Sequence, residues 1–390
     1  MKCSFKDIVI DSRTGLNPRK NFVLGSGDNA YITIKDIYDG KINISDKTDR
    51  VDDAAIQTIK KRSRIAPGDI LFVSIGRIGE TAIVQEKDDS WDVNESVFIF
   101  TINDDIIIPE YFCLLFESED VRNSLTKNSS GSTFKSIKMG QLERMEFDIP
   151  SLNEQKNIVD QINKIKSIRI ARIKELEQLD LLIKARFVEM FGDENNSLNW
   201  DMVNVEDVAD VQVGVVIKPS QYYTGKKDGI PAFRSLNIGE GFIKNMDWVY
   251  FSQEGNDKNS KSILKENDLL IVRSGAPGTA CVVTKEFEGY NAIDIIIAHP
   301  DCSKVNPYYL CTYTNMPHGK KQIQEGTGGA AQQHFNVGKY NKLKLMLPPV
   351  ELQNEFVGFI KQVDKSKFAV QKSLDEAQLL FDSLMQEYFG

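Results

Sequence analysis

The 390-residue sequence has few of the residues on which metal, redox and membrane proteins depend. It contains five cysteines, scattered and without a C-x-x-C pair, which favours reduced, mostly buried thiols over disulfides or a zinc site. Its three histidines are too few and too clustered in the second half to build a metal site alone. No apolar run reaches the roughly 18 residues of a membrane span. The N-terminus also lacks the apolar core of a signal peptide, and we therefore expect a cytoplasmic protein. From the cysteine and histidine pattern we expect that it binds no metal.

Sequence motifs of the common enzyme classes are absent as well. There is no Walker A loop, no G-x-S-x-G elbow and no H-E-x-x-H pair. Residues 306–309 (NPYY) are similar to the Asn-Pro-Pro-Tyr catalytic loop of amino-methyltransferases, but they lack its second proline, and the counterpart in the first half begins with Ile108. A helix start with proline in the first turn is the favoured interpretation. The chain is therefore predicted to be non-catalytic and to bind no cofactor itself.

One stretch of the chain is present twice. Residues 150–192 align with residues 348–390 without a gap. Both copies begin at a proline, share a glutamine (Gln155 and Gln353) and end in Phe-Gly. A repeat of this kind indicates a tandem duplication.

Both copies of the repeat are predicted to be long helices with a coiled-coil seam. Apolar residues recur in steps of three and four over several heptads, a pattern typical of a coiled coil; two unrelated surface helices are the alternative. The predicted seam residues are Ile158, Ile162, Ile165, Leu176, Leu179 and Ile183 in the first copy, and Phe356, Ile360, Val363, Val370, Leu374, Phe381 and Leu384 in the second. Apolar residues off the seam, among them Ile168, Phe187 and Phe368, predict a second apolar face with a second partner.

The two stretches that precede the helices repeat one strand-rich plan. Strands are predicted at 30–37, 69–75, 81–85 and 96–102, and a short helix at 109–118. Residues 68–79 (GDILFVSIGRIG) match residues 267–278 (NDLLIVRSGAPG), and each is a strand followed by a loop with two glycines. The predicted fold is α+β, with globular domains at 1–149 and 193–347 that alternate with helical segments at 150–192 and 348–390.

Donor-rich side chains next to glycine turns recur at the same places in both halves. Arg, Lys, Asn and Gln read base edges, and Ser, Thr and Lys hold phosphates. The candidate DNA-binding residues are Thr33, Lys35, Ser74, Arg77, Lys127, Ser132, Thr133 and Lys135 in the first half, and Arg234, Ser235, Asn237, Arg273, Ser274, Gln332, Gln333 and His334 in the second. Ordinary solvated loops are the alternative for any one of these residues. The net charge of −8 argues against unspecific coating of nucleic acid but is compatible with a site-specific binder.

The ordered set of four parts resembles the specificity subunit of type I restriction–modification enzymes. The resemblance rests on the glycine-loop segments at 68–79 and 267–278 and on the helix entries at 149–155 (IPSLNEQ) and 347–353 (LPPVELQ). The second entry departs from the usual Glu-Gln, because Leu352 stands at the position of Glu154. The resemblance covers essentially the whole chain.

The resemblance implies a division of labour between this chain and its partners. Each globular domain would be a target-recognition domain that reads one half of a bipartite site in double-stranded DNA, and the helices would pair as an antiparallel coiled coil between them. Two methyltransferase (modification) subunits would dock on this frame, and two restriction subunits could join. S-adenosylmethionine, ATP and Mg²⁺ would then belong to those partners. At about 1.5 Å per residue, a 40-residue helix is roughly 60 Å long, so we expect helix length to set the spacer between the half-sites.

Two other functions stay open at this stage. A stand-alone DNA-binding regulator would bind its site tightly without partners. A DNA-modifying enzyme with an unrecognised active site would bind S-adenosylmethionine by itself. Neither the target sequence nor the individual base contacts follow from one sequence.

Overall fold

The structure is a computed structural model, and it describes residues 1–19, 21–129, 135–327 and 335–390. The chain divides into two compact units. The first unit contains residues 1–173 and 372–390, and the second contains residues 174–371. Each unit therefore holds one globular module together with a part of each long helix.

The helices include two that are much longer than the rest. These two helices have 40 residues each and coincide with the repeated stretch of the sequence. The helices in the described residues are α1 (Phe5–Ile8), α2 (Asp53–Ser63), α3 (Pro109–Glu117), α4 (Glu119–Asn128), α5 (Met139–Leu142), α6 (Leu152–Phe191), α7 (Gln253–Lys258), α8 (Pro307–Asn315), α9 (Pro317–Thr327), α10 (Val337–Asn341) and α11 (Val350–Phe389). Short 3₁₀ turns lie at Val205–Asp207, Pro219–Tyr222, Lys226–Asp228, Ser235–Asn237, Ser260–Ser262 and Lys285–Phe287.

The strands are short, and nine of them follow the same order in both modules; among the described residues, two further strands at Ile37–Tyr38 and Lys41–Ile42 are found in the first module only. In the first module they are β1 (Lys2–Ser4), β2 (Val9–Thr14), β3 (Asn29–Ile32), β4 (Ile37–Tyr38), β5 (Lys41–Ile42), β6 (Asp49–Val51), β7 (Ile70–Val73), β8 (Thr81–Ile83), β9 (Trp91–Val93), β10 (Val97–Ile102) and β11 (Glu146–Asp148). In the second they are β12 (Met202–Asn204), β13 (Ala209–Val213), β14 (Ile230–Phe233), β15 (Val249–Phe251), β16 (Leu269–Val272), β17 (Ala280–Val282), β18 (Asn291–Ala292), β19 (Ile295–Pro300) and β20 (Lys344–Met346).

The sheets of the two modules have one topology. A four-stranded antiparallel sheet has the order β2-β10-β7-β8 in the first unit and β13-β19-β16-β17 in the second. A three-stranded sheet has the order β6-β3-β9 in the first unit and β15-β14-β18 in the second, and its last two strands are parallel in each case. In each module the first strand pairs with the last, β1 with β11 and β12 with β20. The duplication predicted from the helices therefore extends to the strands.

One inner strand of each four-stranded sheet, β7 in the first unit and β16 in the second, is buried on both faces. In β7, Ile70 and Phe72 face the core that includes α3, whereas Leu71 and Val73 face the core beneath the three-stranded sheet. Strand β16 divides its residues in the same way. Because both faces are covered, these strands are continuous apolar runs rather than alternating ones.

Each unit contains an antiparallel pairing of α6 with α11. In the first unit, the Tyr388 hydroxyl lies 3.1 Å from the Gln161 side chain, and Phe381 packs beneath Arg169. In the second unit, Lys367 donates to Asp180 at 2.6 Å, and the Phe187 and Phe356 rings are 5.4 Å apart. Partner numbers in α11 fall as numbers in α6 rise, as antiparallel helices require. The predicted fold class, α+β with two long helices that pair as an antiparallel coiled coil, is confirmed.

The seam residues face inward in this pairing. Among the predicted seam residues, Ile158, Ile162, Phe356, Ile360, Val363 and Val370 are buried and the others are half-buried. The assignment of Phe187 to a second apolar face was wrong: Phe187 is fully buried and packs on Tyr309 and His318, so it anchors α6 in the module core.

One strand boundary differs from the sequence prediction. The first predicted strand ends at Ile32 rather than residue 37, because the Asp36 carboxylate accepts hydrogen bonds from the backbone and hydroxyl of Thr33, both at 2.8 Å, and turns the chain. The compact units divide within the long helices, not at their ends; the domain boundaries at 150, 193 and 348 stay a prediction. No helix in the described residues combines the length and the apolarity that crossing a membrane requires.

Candidate nucleic-acid interface

In the first unit, several loops meet where the parallel strands β3 and β9 end. The Gly76 N–H donates to the Lys135 carbonyl at 3.0 Å, and the Ser74 N–H donates to the Ser96 carbonyl at 3.1 Å. Arg77 donates to the carbonyls of Ile34 and Ile37 at 3.0 and 2.9 Å. We call this surface, residues 33–38, 74–79, 94–96 and 135–137, the first loop edge.

The second unit has an equivalent surface at the ends of β14 and β18. The Phe335 N–H donates to the Arg273 carbonyl at 3.0 Å, and the Asp294 N–H donates to the Val215 carbonyl at 3.2 Å. We call this surface, residues 215–218, 234–238, 273–278, 293–294 and 335, the second loop edge. Each edge lies at the carboxyl end of a parallel strand pair and includes the glycine loop.

The paired glycines of each loop are required by the backbone. Gly76 and Gly79 have φ of 76° and 93°, and Gly275 and Gly278 have φ of 86° and 87°, in the region that L-residues rarely adopt. A Cβ at Gly278 would also lie 2.6 Å from Ile323. The two glycines in each sequence motif are therefore explained by the backbone conformation of the loop, which carries the residues between them.

Three of the predicted DNA-binding residues are buried and belong to the framework of the loops. Thr33 bonds to Asp36 as described above, and the Ser74 hydroxyl donates to the Ser96 carbonyl at 2.7 Å. Asn237 accepts from the Arg234 backbone at 2.9 Å and donates to the Met246 carbonyl at 2.6 Å. Because these polar groups are satisfied inside the protein, we correct their role from DNA contact to loop support.

The other predicted residues of the first unit that the structure describes, Lys35, Arg77, Lys127 and Lys135, are exposed or partly exposed. Lys127 and Lys135 are exposed, and the exposed Lys35 ammonium lies 3.4 Å from the Asp49 carboxylate. Arg77 is about half-exposed, although its guanidinium holds the loop carbonyls named above. Lysines of this kind suit phosphate contacts, because a flexible ammonium acts as a point charge.

In the second unit, both predicted arginines already donate hydrogen bonds to groups of the protein itself. Arg234 donates to the Asp247 carbonyl at 2.5 Å. Arg273 is only 16% exposed; it donates to the Phe335 carbonyl at 3.3 Å and to the Asp294 carboxylate. Ser235 and Ser274 are half-buried beside them. Ser132, Thr133, Gln332, Gln333 and His334 lie outside the described residues.

Sequence reasoning missed two parts of the second edge. One is the exposed segment that follows Gly214, where Ile217 is 79% exposed and Lys218 has a φ of 43°. A signal was present, since Gly15 and Gly214 hold matching positions and a Cβ at either would lie within 2.3 Å of the neighbouring strand's carbonyl. The other is Asp294, whose acidic side chain excluded it from a search for donors.

The NPYY segment is a helix start. The Asn306 side chain accepts from the Tyr308 N–H at 3.0 Å and donates to Asn354 at 2.8 Å, with Pro307 as the first residue of α8. These bonds occupy the asparagine that a catalytic loop would need. Within the described residues, no group of three or more histidine, cysteine or acidic side chains is arranged to hold a metal ion.

Comparisons with known proteins agree on one family. The model of the family described as type I restriction modification DNA specificity domain matches residues 3–180 and 197–377. The MjaIX specificity subunit of Methanocaldococcus jannaschii is 21% identical over 387 residues, covering 92% of this chain and 85% of that protein. The EcoKI specificity subunit of Escherichia coli K12 is also 21% identical, over 350 residues, covering 84% of this chain and 74% of that protein.

Two solved structures share the fold. One, from work on complex assembly and conformational transition of the type I R-M system, has a TM-score of 0.64 at 18% identity and covers 100% of this chain and 97% of its own. The other, the S subunit of the type I system from M. genitalium, has a TM-score of 0.55 at 14% identity and covers 100% of this chain and 96% of its own.

Proposed function

This chain belongs to the type I restriction–modification DNA specificity family, and we propose that each of its two modules reads one half of a bipartite target in duplex DNA. Membership confirms the resemblance stated from the sequence, including the expectation of a non-catalytic specificity subunit. The bipartite target, the partner arrangement and the partner cofactors go beyond membership and form the proposal.

The duplicated loop edges support the bipartite target. Both edges are built by the same topology, yet their side chains differ: Lys35 and Arg77 in one, Arg234, Asp294 and Lys218 in the other. A shared frame with different loops suits two readers of different short sequences. Phosphate contacts from the lysines would position each module, and the remaining polar groups would discriminate base edges.

Exposed apolar residues on the long helices support two copies of one partner. Leu181 and Leu379 hold equivalent positions in the repeat and are 62% and 70% exposed. Ile170 and Phe368 are likewise equivalent, at 67% and 75%. Leucines as exposed as these, on helices already paired along another face, are typical of an interaction surface. We assign both surfaces to methyltransferase subunits.

A groove in the second unit is consistent with this assignment. Leu181 and Val188 of α6 line it together with Met316 and Pro317, and its volume is about 880 Å³. S-adenosylmethionine would be bound by the methyltransferase subunits, and ATP and Mg²⁺ by restriction subunits that join the same frame. These partners would also supply phosphate contacts, so a chain with a net charge of −8 should bind DNA weakly alone.

The test is co-expression with the cognate adenine methyltransferase subunit, followed by genome-wide sequencing of methylated adenine. We expect methylation at one bipartite motif, dependent on this chain. S-adenosylmethionine should bind the complex and not the purified chain. Methylation that is independent of this chain, together with tight DNA binding by the chain alone, would favour a stand-alone regulator; cofactor binding by the chain alone would favour a modifying enzyme.

A further inference from the structure

Asp294 occupies an unusual position at the second loop edge. It lies in the bend between β18 and β19, with a φ of 51° in the left-handed region. Aspartate tolerates this conformation better than most residues, but it still costs free energy. The Asp294 side chain is 42% exposed. The residue with the strained backbone therefore carries a charged group that lies at the surface.

The Arg273 side chain, which is less exposed than that of Asp294, forms an ion pair with this carboxylate. The guanidinium is mostly buried; one of its nitrogens donates to Asp294, and its Nε donates to the Phe335 carbonyl at 3.3 Å. The Phe335 N–H returns a hydrogen bond to the Arg273 carbonyl at 3.0 Å. Arg273 is thus fixed from two sides, and the more exposed member of the pair is the aspartate.

The arrangement suits an acceptor that approaches DNA. A free carboxylate is repelled by phosphates, but the adjacent guanidinium offsets its charge. A carboxylate can only accept hydrogen bonds, and in the major groove Asp and Glu accept from the N4 amine of cytosine. We propose that Asp294 is a specificity-determining residue that accepts a hydrogen bond from cytosine N4 in the half-site read by the second module. Arg273 is its positioning residue. This inference rests on the proposed function.

At the equivalent position of the first module, the described residues hold no such charged pair. Val73 pairs with Val97, and Val272 pairs with Ile295. The residues next to these pairs are Ser74 and Ser96 in the first module, and Arg273 and Asp294 in the second. The Ser74 hydroxyl donates to the Ser96 carbonyl at 2.7 Å, and both partners are neutral. The inference therefore concerns one half-site only.

Asp294→Asn is the direct test. Asparagine has nearly the same size and accepts the left-handed backbone, so the fold should be retained. Its amide both donates and accepts, which matches N6 and N7 of adenine. In the methyltransferase complex, we expect one position of one half-site to lose its preference for cytosine over adenine by about tenfold or more, while the other half-site stays unchanged. Asp257→Asn, an exposed aspartate on α7, is the control and should leave the motif unchanged.

The outcomes separate this inference from the proposed function. If the wild-type complex methylates a bipartite motif and the Asp294→Asn complex methylates the same motif with unaltered preference, the inference is overturned and the proposed function stands. If the wild-type complex methylates no bipartite motif, the proposed function fails. If the variant abolishes methylation, binding of its complex to duplexes carrying each base at each half-site position decides: a lost cytosine preference supports the inference, and an unaltered one overturns it.

Discussion

Two buried glutamines, Gln155 and Gln353, join the start of each long helix to its module. Gln155 accepts from the Ile108 N–H at 3.0 Å and donates to the carbonyls of Ile106 and Pro150 at 2.8 and 2.9 Å. Gln353 makes the same three bonds, to Asn306, Lys304 and Pro348, at 2.8, 3.3 and 2.8 Å. The amide therefore ties the helix entry to the loop before α3 or α8, which explains why glutamine occurs at this position in both copies.

Replacing either glutamine should destabilise its unit. Gln353→Leu would leave one N–H and two carbonyls without their partner inside the protein, and we expect a loss of about 2–4 kcal/mol in unfolding free energy. Urea unfolding followed by tryptophan fluorescence measures this loss, because Trp200 and Trp248 lie in the second unit. Gln386→Leu, at an exposed position of the same helix, should cost little. Equal effects of the two changes would contradict a bonding role for Gln353.

His318 should make the second unit sensitive to acid. Burial against Phe187 and Tyr313 lowers the pKa of His318 below its ordinary value, offset in part by its bond to the Gly192 carbonyl. The unfolded chain then takes up a proton before the folded protein does, so stability is retained above pH of about 6.5 and falls as pH drops below it. Unfolding of wild type and His318→Gln at pH 7.5 and 5.5 is the measurement. We expect a smaller acid-induced loss in the variant; identical losses would contradict this role.

At this scale the sequence predicts some residues and not others for a physical reason. The seam and Gln155 follow from periodicity and repetition. Polar loop residues do not, because Thr33, Ser74 and Asn237 have the same donors whether the acceptor is DNA or a neighbouring carbonyl. Asp294 was missed because its acidic side chain excluded it from a search for donors, and no spacing in the sequence reveals its ion pair with Arg273.

Among the elements, the long helices were the most predictable, since their apolar period extends through 40 residues. Short strands were predicted where the run is apolar, as in β7 and β10. Their exact ends were not, because capping bonds such as that of Asp36 to Thr33 depend on a turn that competes with the strand.

Lengthening both helices should change the spacer and leave the half-sites unchanged. An insertion of two heptads after Ile173 and after Leu374 preserves the seam and adds about 21 Å to each helix. Bipartite sites with the original spacer should lose methylation, and sites selected from a library of spacer lengths should retain both half-sequences. An insertion in α6 alone disrupts the pairing and is the control for unspecific damage. Undiminished methylation of the original site by the doubly extended chain would contradict a spacing role for the helices.

The molecule as a whole is a duplicated chain, and the duplication would let one polypeptide bind two copies of a single partner, as proposed above. The exposed pair Leu181-Leu182 recurs as Leu379-Leu380, with exposures of 62% and 48% in the first copy and 70% and 47% in the second. In a homodimer, symmetry gives two equivalent surfaces. In this chain, the duplication gives them. The loop edges do not keep this equivalence, so the proposed target could be asymmetric although the proposed docking surfaces are equivalent.

Each surface should therefore be removable on its own. Leu181→Glu with Leu182→Glu places two charges in one proposed interface, where burial of an unpaired carboxylate is unfavourable, and the complex should retain one methyltransferase subunit per chain instead of two. Leu379→Glu with Leu380→Glu should have the same effect at the other surface, and all four changes together should leave the chain unbound. Native mass spectrometry counts the subunits directly. Leu198→Glu, an exposed leucine outside the long helices, should leave both partners bound. Two methyltransferase subunits on either double variant would show that these leucines do not form the docking surfaces.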